Sequence, residues 1–302
     1  MGDGVVLSDF EPWMMPPLLE LMATYYGRGD SILDSALHEW LYLRNPFGVA
    51  KAVWVPDGGG WVGFMALVPV LLERRCERLD GYFVVNVLVD PRQRGKGLFL
   101  KMIDAAVQLA KGEDAALIGH PNSTALRFWQ RKRMHFHESL QPVLALPGLP
   151  WGGIRSNRVT SKEMLRDLGD FSATFPEAFE KWKVAAHPSF LEWRYLNHPI
   201  HHYDVQLLDF RGGGFGLQIF RQVRFGARLL LDQFTDQANL NPAYRALPVP
   251  TICFLASSEF SAAGNAVMPL PWKKRIPVFL TNYSKPVASS EAAQLGLSPT
   301  DM

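Results

Sequence analysis

A run of apolar, mostly β-branched residues from Val84 to Val89 predicts a strand buried on both faces, with Asn86 as its single polar interruption. Asp90-Pro91 ends this strand, because proline has no N–H to donate to a neighbouring strand. From residue 98 to 110 the apolar side chains recur at helical spacing, and Gly112 stands where a helix C-terminal cap is expected. The pattern therefore predicts a buried strand, a short polar loop and an amphipathic helix in direct succession.

Further elements are predicted on both sides of this segment. The residues before it predict a strand at 5–7, helices at 16–26 and 31–43, and strands at 52–55, 61–67 and 68–73. After it, residues 115–119 predict another strand, and a helix follows that holds Ala125, Phe128 and Trp129. This alternation of strands and helices places the chain in the α/β class.

An internal repeat relates the two halves of the sequence. Residues 39–46 (EWLYLRNP) pair with residues 192–199 (EWRYLNHP) at an offset of 153 (192 minus 39). The glycine-rich turn at 58–60 pairs with 212–214 at an offset of 154, which requires one inserted residue. The repeat predicts two tandem domains, 1–148 and 149–302, joined by the Pro/Gly-rich segment 146–150.

The loop after the buried strand reads Arg92-Gln93-Arg94-Gly95-Lys96-Gly97. Backbone N–H groups of a glycine-rich loop and of a helix N-terminus bind anions, and three adjacent cations would strengthen the binding of a pyrophosphate. The alternative is a tight turn with solvated basic side chains. The spacing fits neither a Rossmann nor a P-loop motif. No such loop follows residue 234, so the second domain is predicted to be degenerate, with a substrate-shaping or scaffolding role.

The residues from 82 to 136 resemble the GNAT (GCN5-related) acyltransferases. The family pattern [QR]-x-x-G-x-[GA] falls on Arg92, Gly95 and Gly97, and residues 115–129 resemble its strand–Asn–helix segment. Here Trp129 replaces the tyrosine usual in the family. The resemblance implies two tandem GNAT-like domains, each a mixed, mostly antiparallel sheet flanked by helices, with acyl-CoA bound by the first.

The same resemblance implies which residues contact the acyl-CoA. They comprise the end of the buried strand at 84–89, the basic loop with the first residue of the helix that follows it, and the strand–Asn–helix segment. These candidates are Val87, Leu88, Val89, Arg92, Gln93, Arg94, Gly95, Lys96, Gly97, Leu98, Asn122, Ala125, Phe128 and Trp129. Asn122 is also a suitable N-cap of the following helix.

Four residues are candidates for catalysis. His120 follows a strand, and imidazole titrates near neutral pH, so it is either a general base or a loop histidine. Asn86 either orients the substrate or water, or is a hydrogen-bonded core amide. Asp80 and Tyr82 lie where some relatives keep a base, although residues of these types are more often solvated or packed. The tryptophan at 129 removes the family's usual general acid.

One residue of the second half is a candidate for acceptor binding. Arg194 stands where the other copy has Leu41, so a charge is gained at an apolar position of the repeat. Ligand pockets favour domain interfaces, which predicts an exposed Arg194 in a groove between the halves. The alternative is an ordinary surface position on a helix.

Bulk composition narrows the function classes. The 302 residues, with 48% hydrophobic and 20% charged, are typical of a globular chain of about two domains. A net charge of +2 predicts binding to neither nucleic acid nor membranes. Cys76 and Cys253 are far apart in sequence, which favours a reducing compartment and predicts a cytoplasmic protein. The cluster of His198, His201 and His202 is only a weak signal for a metal site, so no metal is expected.

The resemblance implies an N-acyltransferase that moves an acetyl or short acyl group from acyl-CoA to the amine of a small molecule. The tandem arrangement resembles amino-sugar N-acyltransferases, which suggests a nucleotide-linked amino sugar as acceptor. The alternatives are a mycothiol-synthase-like acyltransferase and a non-catalytic acyl-CoA-binding module. The sequence leaves open the acyl chain length, the acceptor and the oligomeric state.

Overall fold

A computed structural model describes the chain at residues 4–27, 29–74, 77–132, 134–136, 141–145, 154–167, 169, 182–211, 213–223, 226–235, 243, 251–255, 267–269 and 279–283. The predicted linker 146–150 and Cys76 lie outside these residues. The described part of the chain forms two sheets with helices packed on them.

The first sheet and its helices come mostly from the first half of the chain. Their bounds are β1 Val6–Asp9, α1 Met15–Met22, α2 Ser35–Leu43, β2 Lys51–Asp57, β3 Gly60–Arg74, β4 Glu77–Val89, α3 Leu98–Gly112, β5 Ala116–Gly119 and α4 Ser123–Arg131. Short 3₁₀ turns lie at Pro12–Met14, Ser31–Leu33 and Pro91–Gln93.

The remaining described chain forms the second sheet and its helices, together with the strands β8 (Lys183–Val184) and β14 (Phe279–Asn282), which join the first sheet. Their bounds are β6 Gln141–Ala145, β7 Ile154–Arg158, α5 Lys162–Asp167, β8 Lys183–Val184, α6 Pro188–Leu191, β9 Tyr203–Phe210, β10 Phe215–Gln222, β11 Arg228–Phe234, β12 Thr251–Leu255, β13 Val267–Pro269 and β14 Phe279–Asn282. A π-helical turn, Glu192–Leu196, continues α6 directly. Among the described residues, no helix is both long and apolar enough to cross a bilayer.

The strands predicted separately at 61–67 and 68–73 are a single strand, β3, which corrects that prediction. Pro69 does not break β3, because its carbonyl oxygen accepts from the Asn45 side chain (2.7 Å) instead of facing β4. The backbone nitrogen of a strand residue points the same way as its carbonyl, so the missing N–H lies off the β3–β4 ladder.

Among the described strands, each sheet has one parallel pair, and its other neighbouring strands are antiparallel. The first runs β1-β2-β3-β4-β5-β14, with β8 also paired to β3, and only β4 and β5 are parallel. The second runs β13-β6-β12-β11-β10-β9-β7, and only β11 and β12 are parallel. The predicted α/β fold with two mixed, mostly antiparallel sheets is confirmed.

Three strands are exchanged between the sheets, and the shortest of them, β8 of the second half, pairs with β3 of the first sheet. β6 comes before the predicted boundary at 148/149 but pairs with β12 of the second sheet. β14 comes from near the end of the chain but pairs with β5 of the first sheet. The predicted boundary therefore does not separate the two sheets, because each of them is completed by a strand from the other half.

The two sheets share one apolar core. It contains Phe64 and Phe83 of the first sheet, Ile219 and Leu231 of the second, and the apolar faces of α1 and α2. A separate apolar cluster lies on the other face of the first sheet, under α3. The shared core places α2 and the π-helical turn between the sheets.

The two tryptophans of the repeat meet between the halves. The rings of Trp40 and Trp193 stack with centroids 4.4 Å apart and planes at 15°. Each indole N–H donates to the other residue's carbonyl oxygen, at 3.0 Å from Trp40 and 3.1 Å from Trp193. The contact is reciprocal, as expected for equivalent residues related by an approximate two-fold axis.

Candidate functional site

An opening separates β4 from β5 at the carboxyl ends of these two parallel strands. They are paired at Gly81–Ala116, Tyr82–Leu117 and Phe83–Ile118, and β4 then continues for six residues without β5 beside it. An unpaired strand edge presents backbone N–H and C=O groups to whatever enters the gap. The opening is therefore a place where an extended ligand with amide groups could bind.

The edge of β4 carries a β-bulge beside this opening. Phe64 pairs with Leu88 and Ala66 pairs with Val85, so Met65 alone opposes both Asn86 and Val87. Asn86 has a left-handed backbone, with φ of 50°, in the middle of a strand. A bulge interrupts the ladder and redirects backbone groups, and its second residue, Val87, is one of the residues predicted to contact the acyl-CoA.

A buried tyrosine holds the bulge from the other side. The Asn86 side-chain amide donates to the Tyr42 hydroxyl at 2.5 Å. Tyr42 is fully buried among the rings of Phe10 (4.7 Å), His38 (5.5 Å) and Phe64 (6.2 Å). Burial raises the pKa of the Tyr42 phenol well above its usual value, so the hydroxyl stays protonated. Tyr42 thus supplies a fixed, neutral hydrogen-bonding group.

The glycine-rich loop leads directly into the N-terminus of α3. Gly95 and Gly97 have left-handed backbones, with φ of 83° and 76°, and Gly97 is the N-cap. A Cβ built on either glycine has no atom within 4 Å, so in the protein itself the requirement for glycine is conformational. The N–H groups at the start of this 15-residue helix are arranged to bind an anion.

The three cations of the loop have different surroundings. Arg92 pairs with Asp90, with Nη2 to Oδ2 at 2.7 Å and Nε to Oδ1 at 3.1 Å, and these bonds lower the pKa of Asp90. The guanidinium of Arg94 lies 5.5 Å from the ring centroid of Tyr25. Lys96 is exposed beside Gly95 and Gly97. Arg94 and Lys96 are thus better placed to attract an anion than Arg92, whose charge is partly neutralised.

A tyrosine that the sequence did not single out caps the end of β4. The N–H of Asp90 donates to the carbonyl of Val62 on β3 (2.9 Å), so the backbone groups of Val89 face the opposite way, toward the opening. The Tyr25 hydroxyl donates to the carbonyl of Val89 and accepts from its N–H (3.2 Å). Tyr25 is 37% exposed and covers part of this edge.

The other side of the opening carries His120 and Asn122. His120 directly follows β5. Its half-buried ring lies 5.6 Å from the ring of Phe83, which is the last residue of β4 that pairs with β5. The side-chain oxygen of Asn122 accepts from the N–H of Ala125 (2.8 Å), so this residue is the N-cap of α4. His120, directly after β5, and the backbone of the bulge, on the neighbouring β4, therefore border the same opening.

Two predicted catalytic residues, Asp80 and Tyr82, lie before the bulge on β4, and their catalytic role stays a prediction. Asp80 comes six residues before Asn86, roughly 20 Å away at the rise of a strand. It lines a cavity of about 590 Å³ beyond the carboxyl end of α3, with Lys51 and Glu113. The Tyr82 hydroxyl donates to Glu113 (2.5 Å), and burial raises the pKa of this phenol. Neither side chain belongs to the site at the bulge.

Trp129 lies in the core, although it was predicted to contact the cofactor. It is 2% exposed, and its ring lies 4.8 Å from Phe279 of β14 and 6.4 Å from Phe99 of α3. Phe128, the residue before it, is half-buried, and its ring centroid lies 5.1 Å from that of Phe99. Trp129 therefore anchors the exchanged strand β14 instead of lining the loop.

Arg194 is not in an exposed groove, so that expectation is wrong. It is 2% exposed, with its guanidinium 5.8 Å from the ring of Trp40 and 5.9 Å from that of Tyr195. This position suits packing between the halves. Within the described ranges, no group of three or more His, Cys, Asp or Glu residues is arranged to hold a metal ion.

Comparison with known proteins agrees with this geometry. Residues 15–136 match the model of the Acetyltransferase (GNAT) family, which confirms the family resemblance for this part of the chain. No protein of curated function matches the sequence.

Solved structures match the fold over most of the chain. A probable N-acyltransferase from Enterococcus faecalis V583 is 15% identical, with a TM-score of 0.64 over 92% of this chain and 72% of that one. A GCN5-related N-acetyltransferase from Kribbella flavida is 13% identical, with a TM-score of 0.66 over 92% and 70%. Saccharomyces cerevisiae N-myristoyltransferase, solved with bound myristoyl-CoA, is 11% identical, with a TM-score of 0.58 over 98% and 85%. At these identities the likeness shows the fold alone.

Proposed function

We propose that this chain, with its GNAT match at residues 15–136, is an acyl-CoA-dependent N-acyltransferase that moves an acetyl or short acyl group to the amine of a small molecule. One observation carries the proposal: a single strand, β4, borders the opening, bears the bulge and leads into the anion-binding loop. A ligand that binds there needs an anionic end and an extended amide-containing arm, which is the chemistry of acyl-CoA.

The loop would hold the anionic end of the donor. Backbone N–H groups around Gly95 and Gly97 and the N-terminus of α3 bind the pyrophosphate, and Arg94 and Lys96 add charge-assisted hydrogen bonds. Tyr25 has to leave the Val89 backbone before amides of the donor's arm can pair with these groups. Asn122 hydrogen-bonds the arm from the β5 side in this proposal.

The chemical step is attack of the acceptor nitrogen on the thioester carbonyl carbon. A C–N bond forms, the C–S bond breaks, and a backbone N–H at the bulge stabilises the charge that develops on the carbonyl oxygen. In this proposal His120 takes the proton from the amine, because its imidazole directly follows β5 beside the opening. Water protonates the departing thiolate, since Trp129 offers no hydroxyl.

The first acceptor to test is a nucleotide-linked amino sugar, and a mycothiol-type amino-sugar conjugate is the second. We propose that the chain arose by duplication and binds one CoA. The matched strand orders of the two sheets and the reciprocal Trp40–Trp193 contact support the duplication. The second half lacks the loop and has a scaffolding role. The cytoplasmic location predicted from the sequence remains part of this proposal.

A second candidate function is an acyl-CoA-binding module without turnover. The buried Trp129 favours it, because a general acid usual in the family is replaced by a packing residue. The two candidates share the donor site and differ only in chemistry.

Calorimetry with CoA and thiol release from acetyl-CoA with a panel of amines test the two candidates together. We expect one CoA per chain, and a loss of affinity of more than tenfold in Gly97→Val, because a side chain strains the left-handed N-cap and occupies space at the anion site. Gly226→Val is the matched control, since Gly226 also has a positive φ (72°) and open surroundings but lies in a turn of the second half.

The outcomes separate the proposals. Binding with amine-dependent thiol release supports the enzyme, whereas binding without release from any amine supports the module. No CoA binding in the folded wild-type protein would refute both.

A further inference from the structure

We propose that Tyr42 is a positioning residue, and that its hydroxyl holds Asn86 in the left-handed conformation on which the bulge of β4 depends. This inference rests on the proposed function, because the bulge matters for catalysis only if an acyl group is transferred there. It assigns Asn86 a conformational role, in place of direct contact with the substrate.

The backbone of Asn86 requires an explanation of this kind. Among the described residues, Asn86 and Asp114 are the non-glycine residues with positive φ. Asp114 lies in the turn between α3 and β5, where such a conformation is common, but Asn86 lies inside a 13-residue strand. Asparagine tolerates this conformation better than most residues, and a hydrogen bond to its side chain fixes which conformation it adopts.

The partner of Asn86 is held from two sides. Tyr42 lies in α2, where the rings of Phe10 and Phe64 enclose it, so its hydroxyl has little freedom to move. Two residues earlier on the same helix, Trp40 stacks on Trp193 of the second half. The helix therefore connects the contact between the halves to the bulge, and in this way the second half supports the acyl site without binding a donor.

The second half contains an equivalent arrangement of its own. Ile219 pairs with Asp232 and Phe220 with Leu230, so Leu231 is an extra residue and β11 also has a bulge. Tyr195, which follows Tyr42 by the repeat offset of 153, donates its hydroxyl to the Asp232 carboxylate. In both halves, a tyrosine between the sheets thus reaches the strand that carries the extra residue.

Substitutions at position 86 separate a conformational role from a chemical one. Glycine adopts a φ of 50° without strain and alanine does not. We expect Asn86→Gly to keep kcat within about threefold of wild type, whereas Asn86→Ala loses at least tenfold. The measurement is thiol release from acetyl-CoA with the best amine of the panel, and the donor KM should change less than twofold. Equal losses in both variants would show that the amide acts on the substrate and would overturn the inference.

A double variant tests the role of Tyr42. Tyr42→Phe should lower kcat about tenfold in the wild-type background, yet have less than a twofold effect in Asn86→Gly, because the conformation no longer needs to be held. Additive losses would refute the positioning role. Tyr195→Phe is the matched control: it also removes a hydroxyl between the halves, but at the other bulge, and should leave kcat unchanged.

Stability measurements keep the test independent of the acceptor. In urea unfolding, Asn86→Gly should be more stable than Asn86→Ala. The loss of stability caused by Tyr42→Phe should be smaller in the Asn86→Gly background than in wild type. If these results hold but wild type neither binds CoA nor releases thiol, the proposed function fails and the conformational role of Asn86 stands. If wild type is active and the ranking is absent, the inference alone fails.

Discussion

The placement of the exchanged strand β14 beside β5 can be tested through a single close contact. A Cβ added to Gly119 of β5 would lie 2.8 and 2.9 Å from two ring carbons of Phe279. The ring cannot move aside easily, because Phe279 is buried and packs against Trp129 (4.8 Å) and Phe136 (5.8 Å). Gly119→Ala should therefore displace β14 from the edge of the first sheet.

The expected energies follow from this packing. Gly119→Ala alone should cost about 1–3 kcal/mol, the usual range for overpacking a core. Phe279→Ala alone should cost about 3–5 kcal/mol, because a buried aromatic ring is removed and a cavity remains. With the ring gone, Gly119→Ala should become neutral or stabilise by up to about 1 kcal/mol, since glycine in a strand is less stable than alanine.

Urea denaturation of wild type, the two single variants and the double variant measures this coupling. We expect a coupling energy of at least about 1–2 kcal/mol, because contacting residues are not additive. Gly63→Ala is a useful comparison in the same sheet, since its Cβ would lie 3.1 Å from Val55 and 3.2 Å from Met102, far from β14. Additive energies for Gly119 and Phe279 would show that β14 does not occupy this edge in solution.

Three further predictions concern the site and the exchange. His120→Ala should lower kcat by about 10²–10⁴ and remove the acid limb of the pH–rate profile, and an intact limb would exclude His120 as the base. Hydrogen bonds from Arg92 lower the folded-state pKa of Asp90, so the ionised carboxylate stabilises the folded protein above about pH 4, and this stabilisation is lost on further acidification. The urea midpoints of wild type and Asp90→Asn should therefore converge at low pH. A chain truncated after residue 148 lacks β14 and β8, so it should expose the edge of β5 and aggregate in size-exclusion chromatography; a stable monomer would contradict this.

The contact between Tyr25 and Val89 links donor binding to the loop before α2. The hydroxyl satisfies two backbone groups at an edge that an extended ligand would also use. Arg94 lies over the same ring, so an anion that attracts Arg94 would also loosen Tyr25. Binding of the anionic end and release of the strand edge are therefore physically connected in the proposed mechanism.

Local sequence determined the part of the site that is continuous in the chain. The apolar run from Val84 and the proline at 91 specify where β4 ends, and the periodicity from Leu98 specifies α3. Gly95 and Gly97 could be identified because left-handed positions in a loop strongly favour glycine. The repeated Glu-Trp motif also predicted that Trp40 and Trp193 are equivalent, and the structure brings them into contact.

Only the tertiary structure decided what completes the site. Tyr42 and Tyr25 reach β4 from 44 and 64 residues away. The repeat marks Tyr42 as equivalent to Tyr195, but nothing in the local sequence of either Tyr42 or Tyr25 indicates a contact with β4. Likewise, no apolar alternation marks 141–145 (QPVLA) or 279–282 (FLTN) as a strand, and nothing in these segments specifies which sheet edge each one joins. A strand's sequence encodes the face that it buries, whereas its partner depends on which backbone edge the rest of the fold leaves open.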